Sequence, residues 1–176
     1  MAGIEQMSEM VFAYGSNMCS GRFRDYGLEP IGRGRPALLD GYLLDFSKPS
    51  KKDGSGKANV SPSAGNQVWG VLYEVHGADL ARLDKGEGTG YTRLKVTVRT
   101  VESNPVDAWV YTATNPTTTR QMRPYTWYKR FLVEGAREHS LPVEYISGLQ
   151  AIEAINDSDP KRKKEKWTLI CASPTD

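Results

Sequence analysis

The sequence predicts an α+β domain: a largely antiparallel sheet, able to close into a small barrel, with helices packed beside it. Three observations carry this. Strand patterns fill the first two thirds of the chain and helical patterns come late, an order that favours α+β over alternating β/α units. Residues 91–101 alternate strictly, with Leu94, Val96 and Val98 between Arg93, Lys95, Thr97 and Arg99, so one face is dry and one wet. Residues 125–138 space Trp127, Phe131 and Leu132 onto one helical face.

The chain opens with an apolar run, Met10 to Tyr14, that ends in Gly15-Ser16-Asn17. Glycine tolerates φ > 0, and Ser and Asn side chains bond nearby backbone, so a strand runs here into a tight turn. Such a turn can aim successive N–H groups at one spot and form a nest for a carboxylate or phosphate. On local pattern alone an ordinary strand-to-loop turn is the preferred reading. Met18 to Tyr26 is a short helix or turn, and Pro30 to Pro36 is extended or turning. Ala37 to Phe46 reads as a strand interrupted at Asp40-Gly41, a turn or bulge signal. Lys48 to Gly56 is polar and aperiodic, the pattern of a surface loop. Lys57 to Ser61 is a brief strand before Pro62, and Gln67 to Val75 a clear one, with Trp69, Val71, Tyr73 and Val75 alternating.

Ala78 to Lys85 is a short helix with Leu80 and Leu83 on one face, stopping in Gly86-Glu87-Gly88. Asn104-Pro105 turns the 91–101 strand into a third, Val106 to Thr114, giving an antiparallel hairpin. Thr117 to Pro124 is a polar connector. After the helix at 125–138, His139-Ser140 is a break, and Pro142 suits the first turn of a second helix carrying Tyr145, Leu149 and Ile152. Asp157 to Lys166 is a charged segment whose basic run defaults to a solvated face. Trp167 to Cys171 is expected as a last short strand or docking segment.

Length and composition bound the function. At 176 residues the chain holds one domain with a proper core. A net charge of +2 with acids and bases interspersed argues for neither nucleic acid nor a membrane surface as partner. No apolar stretch reaches the ~18 residues of a membrane span. Met1 to Glu9 has acids and no long apolar segment, so a short frayed tail is expected rather than a signal peptide. Two cysteines, Cys19 and Cys171, make neither a disulfide framework nor a zinc site, which fits a cytoplasmic protein.

Candidate chemistry is reached by elimination. His76 and His139 have no Cys or Ser in a recognisable catalytic setting and read as surface or partly packed histidines. Cys19 has no local signature and behaves as a small buried hydrophobe. Neither a Walker loop nor a metal-ligand cluster is present, so no cofactor and no metal are expected. Gly32-Arg33-Gly34-Arg35 reads as a surface turn. Glu87 is unusual because Gly86 and Gly88 flank it. A partly desolvated Glu in such a loop has a raised pKa and suits a general base; a solvent-exposed loop Glu fits the same residues.

Four ordered blocks then resemble the γ-glutamylcyclotransferase (AIG2-like) family. They are Tyr14-Gly15-Ser16-Asn17 after a first strand; Val68-Trp69-Gly70-Val71; Leu83-Asp84 leading to Glu87-Gly88; and Trp127-Tyr128-Lys129-Arg130 with Glu134-Gly135-Ala136 and Leu141-Pro142-Val143-Glu144-Tyr145. The resemblance implies a γ-glutamylcyclotransferase-like domain over residues 10–155, with 156–176 an extension packed on it or trailing from it. It implies a small mixed, mainly antiparallel β-barrel with flanking helices. It matches Glu87 to the family's catalytic glutamate and Tyr128 to a substrate-contacting tyrosine. Tyr91 matches another cavity residue, and Tyr14, Gly15, Ser16 and Asn17 match a substrate-binding loop.

The implied reaction needs no protein nucleophile. The α-amine of a γ-glutamyl amide attacks its own γ-carbonyl, closes a five-membered ring and expels an amine as 5-oxoproline forms. The protein holds a folded substrate with reacting atoms ~3–3.5 Å apart, and a base takes a proton from the α-ammonium. The expected partner is a small γ-glutamyl compound: an amino acid conjugate, glutathione, an amine or a tethered intermediate. A homodimer is expected by analogy only. Two alternatives stay open: a non-catalytic binding or interaction module of the same fold, and a related enzyme that removes a γ-glutamyl group from a protein or a biosynthetic intermediate.

Overall fold

Five strands form a closed barrel in the order β1-β3-β2-β4-β5. The computed structural model describes residues 7–117 and 122–171. Residues 1–6 of the expected N-terminal tail over 1–9 and residues 118–121 of the polar connector lie outside these, while Ser8 and Glu9 are not tail but the start of the first strand, paired with His76 and Val75. The strands are β1 (Ser8–Ala13), β2 (Arg35–Pro49), β3 (Gly56–His76), β4 (Tyr91–Thr100) and β5 (Pro105–Ala113). The helices are α1 (Ser20–Arg24), α2 (Leu80–Glu87), α3 (Thr126–Glu138), α4 (Val143–Ala151) and α5 (Pro160–Cys171).

All strand pairs are antiparallel except β1 with β5. That parallel pair, in register at Val11 and Trp109, closes the barrel. The β4–β5 hairpin forms as the alternation predicts, from Tyr91 opposite Ala113 to Arg99 opposite Pro105. The fold is therefore the mixed, mainly antiparallel barrel that the sequence suggested.

Two expected strands, 57–61 and 67–75, are one: β3 runs through Pro62. Proline is tolerated because it pairs with Tyr42 at the edge of a large bulge, where the register jumps between Asp40 opposite Gln67 and Tyr42 opposite Pro62. Gly41 and Gly65 take up that bulge at φ of +76° and +81°. The expected surface loop over 48–56 shrinks to a turn, since Lys48 and Pro49 still pair with Lys57 and Gly56. Polar composition hid this pairing, and Ser50 and Ser55 are buried beside it.

Barrel and helices share one core. Val11 and Phe12 of β1, Val60, Val71 and Tyr73 of β3, Val98 of β4 and Val110 of β5 are all buried. The apolar face of α3 seals one side through Trp127, Phe131 and Leu132, as its spacing predicts. It does so at very short range. A Cβ on Gly135 would stand 2.4 Å from the Cys19 backbone nitrogen and 2.5 Å from the Met18 carbonyl carbon, so α3 lies directly on the turn after β1. His139, at the end of α3, is buried, with its ring nitrogens 2.9 Å from the Tyr73 hydroxyl and 3.2 Å from the Gly34 carbonyl. Pro142 stands one residue ahead of α4 rather than inside its first turn, and Ile152 one residue past its end.

Residues 167–171, expected as a last short strand or docking segment, are the end of a helix that packs Trp167 and Leu169 against the core. Asp159 caps α5: its Oδ1 accepts from the Lys161 and Arg162 N–H groups at 3.0 and 3.1 Å, and Pro160 follows it as the first helical residue. Buried Asp157 holds the helix to α3, accepting from Trp127 Nε1 at 2.8 Å and Arg162 Nε at 2.6 Å.

Candidate active site

The end of β1 brings the site together. Tyr14 leaves the strand buried, and its hydroxyl donates to the Tyr111 carbonyl of β5. Gly15 then opens a single 3₁₀ turn, Ser16–Met18, held by Met18 N–H to Gly15 O at 3.1 Å and Cys19 N–H to Ser16 O at 3.2 Å. The first N–H groups of any such turn lack partners within it and point outward.

Glu87 is placed differently from the expected loop. Helix α2 runs two residues beyond Lys85, and Glu87 is its last residue. Gly88 ends the helix at φ +68° and ψ −170°, a backbone region that is essentially glycine's alone. Gly86 is a helical residue pressed on Tyr26, where a Cβ would lie 2.9 Å from the ring. Glu87 is thus held on a rigid element, with its carboxylate facing the turn after β1. Asn17 Nδ2 donates to Glu87 Oε1 at 2.6 Å.

The two tyrosines converge on one backbone unit. Tyr91 at the start of β4 donates to the Ala58 carbonyl at 2.8 Å, and the Ala58 N–H donates to the Tyr128 hydroxyl at 3.1 Å. The Ser16 side chain also hydrogen-bonds Tyr128. A Cβ on Gly15 would stand 3.1 Å from the Ala58 Cβ and 3.5 Å from the Tyr128 hydroxyl. Tyr14, Gly15, Ser16, Asn17, Glu87, Tyr91 and Tyr128 therefore line one pocket, together with Ala58 and Tyr111. It opens into a cleft of about 490 Å³ walled by Arg22, Tyr26 and Lys48.

Sequence reasoning missed Ala58, Tyr111 and the basic wall. Tyr111 carried only a strand-alternation signal; its hydroxyl donates to Asp84 Oδ1 at 2.7 Å. Lys48 lay in a segment that read as surface loop, and Ala58 acts only through its backbone.

Burial sets the electrostatics. Glu87 keeps some accessible surface at the cleft floor but is densely surrounded, which pushes its carboxyl up to about 7. The Asn17 amide and the charges of Arg22 and Lys48 pull the other way without cancelling the effect. Burial also raises Tyr14, Tyr91 and Tyr128 above the ordinary phenol value, so all three stay protonated near neutrality. A carboxyl near 7 can both take and return a proton at neutral pH. No Cys or His is among the residues lining the pocket or the cleft.

A closed five-strand barrel with flanking helices and a cleft built around one desolvated carboxylate is the class that fold and site define. The model of the AIG2-like family matches residues 67–149. The chain belongs to the γ-glutamylcyclotransferase family. It is 33% identical over 170 residues to the γ-glutamylcyclotransferase of Bos taurus, covering 93% of this chain and 88% of that one. The human γ-glutamylcyclotransferase is 32% identical over 184 residues, covering 97% and 92%. A solved γ-glutamyl cyclotransferase superimposes with a TM-score of 0.79 at 29% identity, over 92% of this chain and 99% of the other. Among the described residues no helix is long and apolar enough to cross a membrane.

Proposed function

We propose that this γ-glutamylcyclotransferase-like enzyme is cytoplasmic and cyclises γ-glutamyl amides to 5-oxoproline with Glu87 as acid and base. The observation that carries this is the Glu87 carboxylate, raised to about 7 by burial and hydrogen-bonded to Asn17 of the opening turn. The substrate's α-ammonium loses a proton to Glu87. The freed amine attacks the γ-carbonyl carbon, forming the ring C–N bond. Glu87 returns its proton to the departing nitrogen as the original amide bond breaks, and the second proton of the ring nitrogen passes to the departing amine, leaving 5-oxoproline and an ammonium group or amino acid.

In this reading the N–H groups of the Gly15–Asn17 turn supply donors to the substrate's anionic oxygens. Tyr91 and Tyr128 form neutral walls that hold the substrate folded with amine against carbonyl, where positioning alone supplies several kcal/mol. A binding module of the same fold gains nothing from a buried carboxylate facing an anionic ligand, because that charge repels the ligand.

Glu87→Gln keeps the shape and removes the proton acceptor. We expect a folded protein with KM for γ-glutamyl-alanine within a few-fold of wild type and kcat lowered by about 10²–10⁴. Release of 5-oxoproline by this variant at the wild-type rate would exclude Glu87 as the base.

A further inference from the structure

On the cyclisation reading the γ-glutamyl group sits in the pocket around Glu87, and the portion expelled projects into the outer cleft. That cleft is strongly basic. Arg22, Lys48, Lys51, Lys52 and Lys57 line it. A second cavity of about 390 Å³ shares Arg22, Ser50, Lys52, Lys57 and Tyr128 with it and continues to Lys161 and Lys166 of α5. Cleft and cavity form one groove from Glu87 to the last helix.

Some of these cations are neutralised within the protein. Arg22 pairs with Asp25, and Lys57 with Asp53 at 3.0 Å. Arg162, on the same wall, pairs with Asp157 and Asp159. Lys48, Lys51, Lys52, Lys161 and Lys166 form no ion pair among the described residues. Lys48 is half-buried, leans over the Tyr91 ring with Nζ 5.2 Å from its centroid, and lies at the junction of pocket and cleft. Desolvation holds the ammonium groups of Lys48, Lys57 and Lys166 below their ordinary value; Glu87 and Asp53 pull Lys48 back up and Asp53 does the same to Lys57, while neighbouring cations push all three further down. An incoming anion relieves both the crowding and the unmatched charge.

A neutral leaving amino acid brings a single carboxylate, fewer than the cations that remain in excess along the groove once its lining acids Glu87, Asp53, Asp159 and Glu165 are counted against them. We propose that the preferred substrate has a polycarboxylate leaving portion: γ-glutamyl joined to an acidic amino acid, or to a short acidic peptide running toward α5. This rests on the cyclisation reading above. The bond made and the bond broken are the same; only the expelled amine differs.

The test is 5-oxoproline release by the full chain from γ-glutamyl-alanine, γ-glutamyl-glutamate and γ-glutamyl-γ-glutamyl-glutamate at low and high salt. We expect kcat/KM for the acidic substrates to exceed that for γ-glutamyl-alanine by at least about fivefold at low salt, the scale of one well-placed ion pair. High salt should shrink the ratio. The Lys51→Ser/Lys52→Ser double variant should bring it toward one, while Lys164→Ser, exposed on α5 and outside the groove, should not. Equal or better turnover of γ-glutamyl-alanine overturns the proposal and leaves the cyclisation reading standing. An equal loss of preference in Lys164→Ser overturns it in favour of overall charge. Release from none of the three overturns the cyclisation reading and this inference with it.

Discussion

Asn17 Nδ2 lies 2.6 Å from Glu87 Oε1, tying the turn after the first strand to the last residue of α2 across 70 positions of sequence. The donor stabilises the ionised carboxylate, while burial of the same group stabilises its protonated form. The balance leaves a carboxyl that titrates near neutrality, and its consequences are measurable.

Activity should follow that titration. On the proposed mechanism the deprotonated carboxylate is the proton acceptor, so kcat/KM should rise with pH through about 7 and level off above it. Asn17→Ala removes a donor that favours the charged form, so the acid limb should move to higher pH. A pH–rate profile of both proteins checks the shift; a limb that stays in place or moves to lower pH in Asn17→Ala would break the link between this contact and the titrating group.

Stability should respond in the opposite sense. Glu87 binds its proton more tightly folded, near 7, than unfolded, near 4.5. Between those values the native state holds more protons than the unfolded state, so this group's contribution is full below the lower value and is lost as pH rises toward 7. Glu87→Gln abolishes the loss. The variant should match wild type at pH 5 and exceed it at pH 8 by on the order of 2 kcal/mol, read by urea unfolding at the two pH values.

Gly15→Val tests the space under the turn. Added methyl groups would meet the Ala58 Cβ and the Tyr128 hydroxyl, near 3.1 and 3.5 Å from the new Cβ. Gly15 sits at φ −110°, so the effect is steric rather than conformational. We expect KM to rise by about tenfold or more, roughly 1.4 kcal/mol of lost binding, with a smaller effect on the unfolding midpoint. An unchanged KM in the folded variant would remove the turn from substrate binding.

Asp157→Ala should loosen α5. The buried carboxylate joins Trp127 of α3 to Arg162 of α5, and the Arg162 hydrogen bond is the main reason its pKa falls to about 2. A depressed carboxylate contributes stability that is present above its ordinary value near 4 and is lost as pH falls to about 2. At pH 7 the substitution should cost on the order of 2 kcal/mol. The difference between variant and wild type should vanish at the acid end of an unfolding series.

The legible parts of the fold are those whose signal is local. The β4–β5 hairpin is readable because Leu94, Val96 and Val98 alternate with charged partners, and α3 because Trp127, Phe131 and Leu132 recur at helical spacing. The Gly15-Ser16-Asn17 turn is visible from its residue types. The Lys48 to Gly56 segment misleads because its polar residues are those of a loop, yet its flanks pair in a hairpin and two of its serines are buried. Asp159-Pro160 held a good helix-start signal, and the charge run that follows obscured it. Ala58 has no signal at all, since it acts through its N–H and carbonyl.

By itself the sequence determined the β4–β5 hairpin, the helix α3, the turn after the first strand and the residue types available for chemistry. Periodicity and turn propensity are properties of neighbouring residues, so they can be read along the chain. Only the tertiary structure decided that β1 meets β5 at Val11 and Trp109, that Glu87 ends a helix, and that Asn17 reaches it. It also decided the acidity of Glu87. Desolvation depends on how much protein surrounds a carboxylate and how little water does, and that comes into being when distant segments pack around it.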